Sequence, residues 1–506
     1  MITSKQFLTT LRLVILVEFI GSIIQAVDGL AGNKRRYRQQ SSRSIDNHRI
    51  NGKNSARKKL SGTYNVSDNR NSGNSKEALM LSKAFRMLYD QGGTTSVLNG
   101  CRDTLLQYKA PVLVEAALLA GNPPNDTNGF RSKGVSSGIL NALLGCCCLK
   151  DHKDSASRAE MAIELMRAYD AIAEKRGQNA LKPDLVSLCL AYVALLDIPD
   201  SDMIYGTGDG KHGNNNDHPK AAEFLRRAEQ FYHTKSAVSK QVAKPKSIAT
   251  QPNLNSSELM EVYGIQVLQD AKEFVVLSKP SGMVCYHGKN GANRQGKGGS
   301  SKNQRSQKTD KSLEECLLAH GLPLSTLNQE GRGLVHRIDR GTSGCLVVAK
   351  TNRMHAILLT QFFLRKAKKS YQALVCSSAE QLTTRHDGVI SSPIEGRPAT
   401  SRYSIEAGVG HLVTRIRINT EQGRRHQVRI HCSDGLNAPI LLDPLYGGQS
   451  ILSTLLRQTR NGAILTEARG AKKFCLHAST LKIDTVGIDV EAPLEEWWKR
   501  LEDGLR

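Results

Sequence analysis

Gly333-Leu334-Val335-His336-Arg337-Ile338-Asp339-Arg340-Gly341-Thr342-Ser343-Gly344, followed by Cys345-Leu346-Val347-Val348-Ala349, is the stretch around which the chain is organised. Asp339 stands between Arg337 and Arg340, just ahead of a turn of small residues. The apolar run after the turn has the length of a buried strand. A rigid core behind, a tight turn in front and fixed positive charge on both sides are what present a reactive carboxylate. The competing reading is a solvated Arg–Asp pair in a surface turn, so the weight falls on what lies further along.

On either side the chain reads as strands with a few helices. Phe274-Val275-Val276-Leu277 is a strand that runs into a Pro280-Ser281-Gly282 turn, with a second short strand at Met283-Val284. Ser312 caps a helix through Leu313–Leu318, and another helix ends at 360–364 beside the basic cluster Arg365, Lys366, Lys368 and Lys369. Ser370–Cys376 is a strand with Tyr371, Ala373 and Val375 on one face. Residues 412–418 alternate, with Arg415 and Arg417 opposite Thr414, Ile416 and Ile418. Residues 425–433 suit a strand by alternation or a short helix ended by Gly435, while 439–447 are irregular and Leu476–Ile483 is a late strand. The expected class is α+β, with a mostly antiparallel mixed sheet over residues 258–506. Residues 289–311 carry seven basic residues and one acid among Gly, Ser, Gln and Asn, and read as a disordered insertion.

The motifs His336-Arg337-Ile338-Asp339, Thr342-Ser343-Gly344, Lys369-Ser370-Tyr371, Gly423-Arg424-Arg425-His426-Gln427-Val428-Arg429, Asp443-Pro444-Leu445-Tyr446-Gly447 and Leu476-His477-Ala478 stand in one order between residues 336 and 478. In order and approximate spacing they resemble the RluA-type pseudouridine synthases, and Lys279–Val284 resembles that family's first strand and turn. Two departures are the basic insertion and Ile338 in place of leucine. No small basic RNA-binding domain precedes the motifs. The resemblance implies an RNA isomerase that breaks the C1′–N1 bond of uridine, turns the base and joins C5 to C1′. That reaction needs no cofactor and no metal. It implies Asp339 as the carboxylate that acts at the sugar, Arg429 as its charge partner and Tyr371 as the residue that stacks on the base and accepts the C5 proton. Arg424 is the alternative partner, since spacing does not separate it from Arg429. Arg337 would fill the space left by the flipped base. Arg337, His336, Arg424, Thr342, Arg340 and Lys369 form the expected RNA-contacting set, with His336 more a hydrogen-bonding support than an acid or base. The competing function is a catalytically silent RNA-binding or ribosome-assembly factor on the same fold. The RNA itself is ribosomal or transfer RNA, and the protein is expected to be a monomer.

Before this domain the pattern changes. Apolar residues recur at helical spacing in 78–89, 139–149, 161–172 and 185–196, so residues 76–235 read as all-helical hairpins. Residues 137–144 and 183–191 look alike, and Pro183-Asp184 opens the second of them. This weakly resembles the pentatricopeptide repeats, although Asn141 and Cys189 would be equivalent at a spacing longer than that family's repeat. Residues 236–257 form a basic linker.

The N-terminus reads as a two-part leader. Residues 1–30 hold a short, broken apolar run that fits a signal peptide and falls short of a membrane span. Residues 31–75 carry eleven Lys or Arg against two acids, with Ser, Asn and Gly between them. Such a leader suits import into a plastid, with a mitochondrion as the alternative, and leaves no membrane span in the mature protein.

Composition agrees. The formal charge of +23 over 506 residues points to a polyanionic partner or a basic leader. Aromatics at 5% argue against a broad base-stacking platform. The 11 cysteines have no paired C-x-x-C spacing and read as reduced core thiols in a reducing compartment.

Overall fold

The computed structural model describes residues 72–91, 108–121, 129–149, 155–176, 183–196, 218–232, 256–287, 311–383, 388–458 and 462–505. The leader as far as residue 71, the linker as far as 255 and the insertion as far as 310 lie outside them. The chain divides into two units, residues 1–146 with 163–182, and residues 147–162 with 183–506.

In the first unit α1 (Ser72–Gln91) packs on α2 (Ala110–Gly121). Leu81, Phe85 and Leu88 repeat at helical spacing and are fully buried. Periodicity does not reveal α2, because nine of its twelve residues are buried and it has no polar face. On α3 (Gly129–Cys147), a Cβ at Gly138 would lie 2.8 Å from the Tyr89 ring, so a side chain there would have to displace that ring. α4 (Ser155–Arg176) buries Ile163, Leu165, Met166 and Tyr169. Asn141 and Cys189, the positions matched between the two similar stretches, are both buried.

In the second unit α5 (Leu185–Ala194) starts at Pro183-Asp184 as the sequence indicates. Asp184 and Ser187 cap each other reciprocally, with the Ser187 N–H donating to Asp184 Oδ1 at 2.8 Å. α6 (Ala221–Gln230) packs on α5, and α7 (Ser256–Tyr263) leads into the sheet. The strands are β1 (Gln266–Asp270), β2 (Phe274–Lys279), then β3 (Ser343–Ala349) after α8 (Leu313–Ala319). After α9 (Asn352–Phe363) come β4 (Lys368–Val375), β5 (Val389–Ile390), β6 (Ser401–Gly408) and β7 (Thr414–Thr420). The short helix α10 (Gln427–Ile430) continues into a π turn at His431–Gly435. Last are α11 (Leu452–Gln458), α12 (Gly462–Gly470), β8 (Leu476–Ile483), β9 (Ile488–Glu491) and α13 (Glu496–Leu505). α5 and α6, read from sequence as part of the helical region, lie against α9, where Asn352 Nδ2 donates to Glu229 at 2.9 Å.

The sheet runs β1-β2-β3-β8-β4-β7-β6-β5, with β9 on β8. Only β3 and β8 pair in parallel; the other pairs are antiparallel, so the class is α+β with a mixed, mostly antiparallel sheet. All seven residues of β3 are buried, as its unbroken apolar run requires. One core cluster holds Val275, Leu277, Leu313, Leu317, Ile338, Leu346 and Val348. A second holds Ala373, Val375, Ile416, Ile418, Val428, Leu476 and Trp498, and Tyr371 packs against both.

One local expectation changes, and one open alternative is decided. Met283-Val284 is not a strand. The buried Lys279 ammonium draws the chain around itself instead, donating to the carbonyls of Pro280 and Met283, both at 2.8 Å. Residues 427–435 are helical, and a Cβ at Gly435 would lie 2.5 Å from Ile390.

Candidate active site

The turn that carries Asp339 is pinned from behind. Ser343 and Gly344 open β3 beside His477 and Ala478 of β8. His477 Nε2 faces the Ala492 carbonyl at 3.0 Å and must donate there, so Nδ1 accepts the Ser343 hydroxyl at 2.9 Å. Gly344 has φ of 106°, and a Cβ there would lie 2.2 Å from the Ala478 carbonyl oxygen. Only glycine lets β3 meet β8 at this point.

His336 closes the turn from the other side. Its Nε2 accepts the Val347 N–H at 3.0 Å, and its ring stacks on Phe362 at 4.5 Å. Burial, with Lys369 nearby, pushes its pKa down to about 3, so the ring is neutral. Arg340 donates from Nε to the Gly282 carbonyl at 2.8 Å, and its own carbonyl accepts the Gly282 N–H and the Lys279 ammonium. Burial pushes the Lys279 pKa down to about 8. The Thr342 N–H donates to the Asp339 carbonyl at 3.1 Å; its hydroxyl is buried without a partner among the described residues. The turn is thus held by its own motif residues, and the side chain of Asp339 remains 22% exposed.

The guanidinium paired with Asp339 is that of Arg429. Nη1 donates to Asp339 Oδ2 at 3.0 Å. Nε and Nη2 donate to the two oxygens of Asp443 at 2.7 and 2.8 Å. Arg429 is 4% exposed, and its Cζ lies 4.9 Å from the Tyr446 ring centroid and 4.6 Å from that of Phe474. Burial opposes its charge, but the bonds to Asp443 and Asp339 outweigh this and raise its pKa above the ordinary value. Arg424, the alternative partner, donates from Nε to the Pro398 carbonyl.

Asp443 is sealed from solvent and accepts the N–H groups of Leu445 and Tyr446 as well. Leu442 before it has φ of 69°, and Gly448 admits no side chain, since a Cβ would lie 1.7 Å from the Ile440 carbonyl. The irregular 439–448 stretch is therefore a cradle for one buried carboxylate. His426 also stands at Asp339, with Nε2 3.6 Å from Oδ1 and Nδ1 2.9 Å from the Tyr446 hydroxyl.

Tyr371 lies mid-sheet. It pairs with Ile418 of β7 and with Ala478 of β8, the residue that also pairs with Gly344. Its half-buried ring packs on the cluster containing Ile338. Arg337 is exposed, donates from Nη1 to the Tyr286 hydroxyl at 3.1 Å and lies over that ring. Lys369 lies over Phe362 at 5.6 Å.

Asp443, Tyr446 and His426 lie within the quoted motifs, but nothing in the sequence marks them as neighbours of Asp339 or Arg429, and Phe474 and Tyr286 lie in no motif. No periodicity marks such residues, since none of them lies in a regular helix or strand. Among the described residues no group of three His, Cys, Asp or Glu could hold a metal ion. The ten described cysteines form no disulfide, and nine of them are buried.

Residues 273–434 match the family model described as RNA pseudouridylate synthase. The chain is 29% identical over 256 residues to a ribosomal large subunit pseudouridine synthase D of Xanthomonas campestris, covering 48% of this chain and 70% of that protein. It is 33% identical over 172 residues to the chloroplastic RNA pseudouridine synthase 2 of Oryza sativa, covering 29% and 38%. The solved structure of human RNA pseudouridylate synthase domain containing 4 is 21% identical, with a TM-score of 0.35 over 47% of this chain and 92% of that one.

Proposed function

We propose that this chain, whose C-terminal part belongs to the RNA pseudouridylate synthase family, isomerises a uridine of RNA to pseudouridine with Asp339 as the carboxylate that acts at the sugar. The observation that carries this reading is the pairing of a partly exposed Asp339 with a buried Arg429 that Asp443 holds in place. The pairing fixes one carboxylate oxygen on the guanidinium while the other stays available.

The reaction balances within the substrate. The C1′–N1 bond breaks with Asp339 acting at the sugar, the freed uracil turns, and C5 bonds to C1′. The C5 proton then leaves and N1 ends protonated, so no oxidant, reductant or co-substrate is consumed. Tyr371 stacks on the turned base and takes the C5 proton. Arg337, on the exposed side of the turn, fills the place of the flipped nucleotide. Thr342, Arg340, Arg424, Lys369 and His336 support this surface, the last by holding the turn.

Ribosomal RNA is favoured as the substrate by the relatives named for the ribosomal large subunit. A plastid location is favoured by the chloroplastic rice relative and by the basic leader.

The test is a pseudouridine map of organellar and cytosolic RNA with and without the protein, repeated in vitro with purified wild-type and Asp339→Asn chains. Loss of one site with the variant, with RNA binding retained, is expected. Full isomerisation by Asp339→Asn would overturn the assignment. A fluorescent reporter fused to residues 1–80 reads the compartment.

A further inference from the structure

Asp339 has two oxygens in different settings. Oδ2 accepts from Arg429, whereas Oδ1 faces Nε2 of His426 at 3.6 Å, beyond hydrogen-bond range. His426 comes with a backbone cost. Its φ is 55°, a left-handed conformation that disfavours side chains with a Cβ. Glycine or asparagine would relieve that strain, so the fold tolerates it with an imidazole directed at the carboxylate.

The protons on this imidazole can be assigned from its neighbours. A lone pair on Nε2 facing the carboxylate would be repelled, so Nε2 carries the hydrogen. In the neutral ring Nδ1 is then an acceptor. The Tyr446 hydroxyl, 2.9 Å away, must donate to it. Burial supports this, since it lowers the pKa of His426 and raises that of Tyr446.

We propose that His426 and Tyr446 are positioning residues that select Oδ1 of Asp339 as the oxygen presented to the sugar. Tyr446 fixes the imidazole tautomer, and the Nε2–H fixes the carboxylate torsion by attraction without saturating Oδ1. Arg429 holds Oδ2 back. The same Tyr446 ring lies against Arg429, so one side chain sets both neighbours of the carboxylate. This rests on the pseudouridine synthase reading above.

The charged groups that face His426 are Asp339, Arg429, Arg425 and Asp443. Protonation of His426 places a cation at Oδ1 and draws that oxygen away from the sugar. Activity therefore falls as pH drops through the pKa of His426, which lies below that of an ordinary histidine.

Two measurements test the proposal. Nitrogen NMR of the full chain labelled at histidine, with His426 assigned by substitution, should show a neutral ring protonated at Nε2. A ring protonated at Nδ1 overturns the proposal whatever the enzyme does. Kinetics on an RNA transcript bearing the mapped uridine, labelled with tritium at C5, form the second. His426→Leu should lower kcat about tenfold, the size of one well-placed polar interaction, with KM little changed. His426→Gln, which keeps a donor, should recover part of the loss and move the acid limb to lower pH. Tyr446→Phe should lower kcat in the same direction. Wild-type kcat and pH profile in His426→Leu and His426→Gln would overturn the positioning role while Asp339→Asn still tested the reaction. If the wild-type chain forms no pseudouridine on any RNA, the functional reading fails, and the tautomer still decides the arrangement.

Discussion

Arg429 reaches Asp339 at 3.0 Å from a site where it is 4% exposed and Asp443 accepts from its Nε and Nη2. One guanidinium serves two carboxylates, of which only Asp339 meets solvent. Removing Asp443 leaves a buried cation with half its partners. Breaking a buried pair from one side costs about 3–5 kcal/mol. Asp443→Asn keeps the volume but loses a charge, so chemical denaturation should show a loss toward the lower end of that range. Activity should fall further than stability predicts, because Arg429 is then free to turn. Arg429→Lys keeps the charge and loses the fork, and it should be nearly as inactive as Asp339→Asn.

Gly341 ties the turn to the same pair. A Cβ there would lie 2.3 Å from two ring carbons of Phe474 and 2.8 Å from the Lys472 carbonyl. Phe474 is one of the two rings against Arg429. Gly341→Ala therefore pushes Phe474 off the guanidinium, at a cost of about 1–3 kcal/mol from overpacking, and kcat should drop with it. Gly470→Ala is the control, since nothing lies within 4 Å of its Cβ position. Equal melting temperatures and rates in the two variants would contradict this account.

The legible parts of this chain are those with a period or a turn signal. The all-buried β3 was readable from five consecutive apolar residues, and β7 from its Arg415/Arg417 alternation. Helices α5 and α8 were readable from Pro183-Asp184 and Ser312. α2 was not, because a helix buried on nearly every side has no polar face. The pairing of β3 with β8 was not, because the two are 134 residues apart where Ser343 meets His477. At the site, spacing left Arg424 and Arg429 equivalent. What separates them is the left-handed turn at His426, which starts α10 and buries Arg429. Asp443 was invisible as a partner for Arg429 because its role comes from tertiary contact alone.

Arg337 is docked on Tyr286, by a hydrogen bond of 3.1 Å and by contact with the ring face. Entry into the RNA stack requires release of both. Tyr286→Phe removes the hydrogen bond and keeps the ring, so the arginine is released at about 1 kcal/mol less cost. RNA affinity should rise by up to about fivefold, with kcat little changed. Arg337→Ala should weaken binding or flipping regardless of Tyr286, so the double variant should match Arg337→Ala alone. Filter binding and single-turnover rates on the mapped RNA read the two effects. A drop in affinity for Tyr286→Phe would mean that the hydroxyl contacts RNA.

Two histidines make stability depend on pH in a defined window. Burial, with Lys369 second, pushes His336 down to about 3, and burial pushes His355 down to about 4. His355 is 1% exposed. Above the ordinary value of 6.5 both are neutral in the folded and the unfolded chain, and neither affects stability. As pH falls through 6.5 the unfolded chain takes up a proton at each of these two positions that the folded chain does not. Unfolding free energy should then fall by about 1.4 kcal/mol per pH unit for each histidine, until the pH nears the folded values. Carboxylates add to the slope at the acid end, so the comparison between variants is the reading. His355→Leu fills the buried site with an apolar side chain of similar bulk and removes that position's proton. Urea unfolding between about pH 7 and pH 5 should give a slope shallower by about that increment in His355→Leu. Parallel slopes would show that His355 is charged in the folded protein.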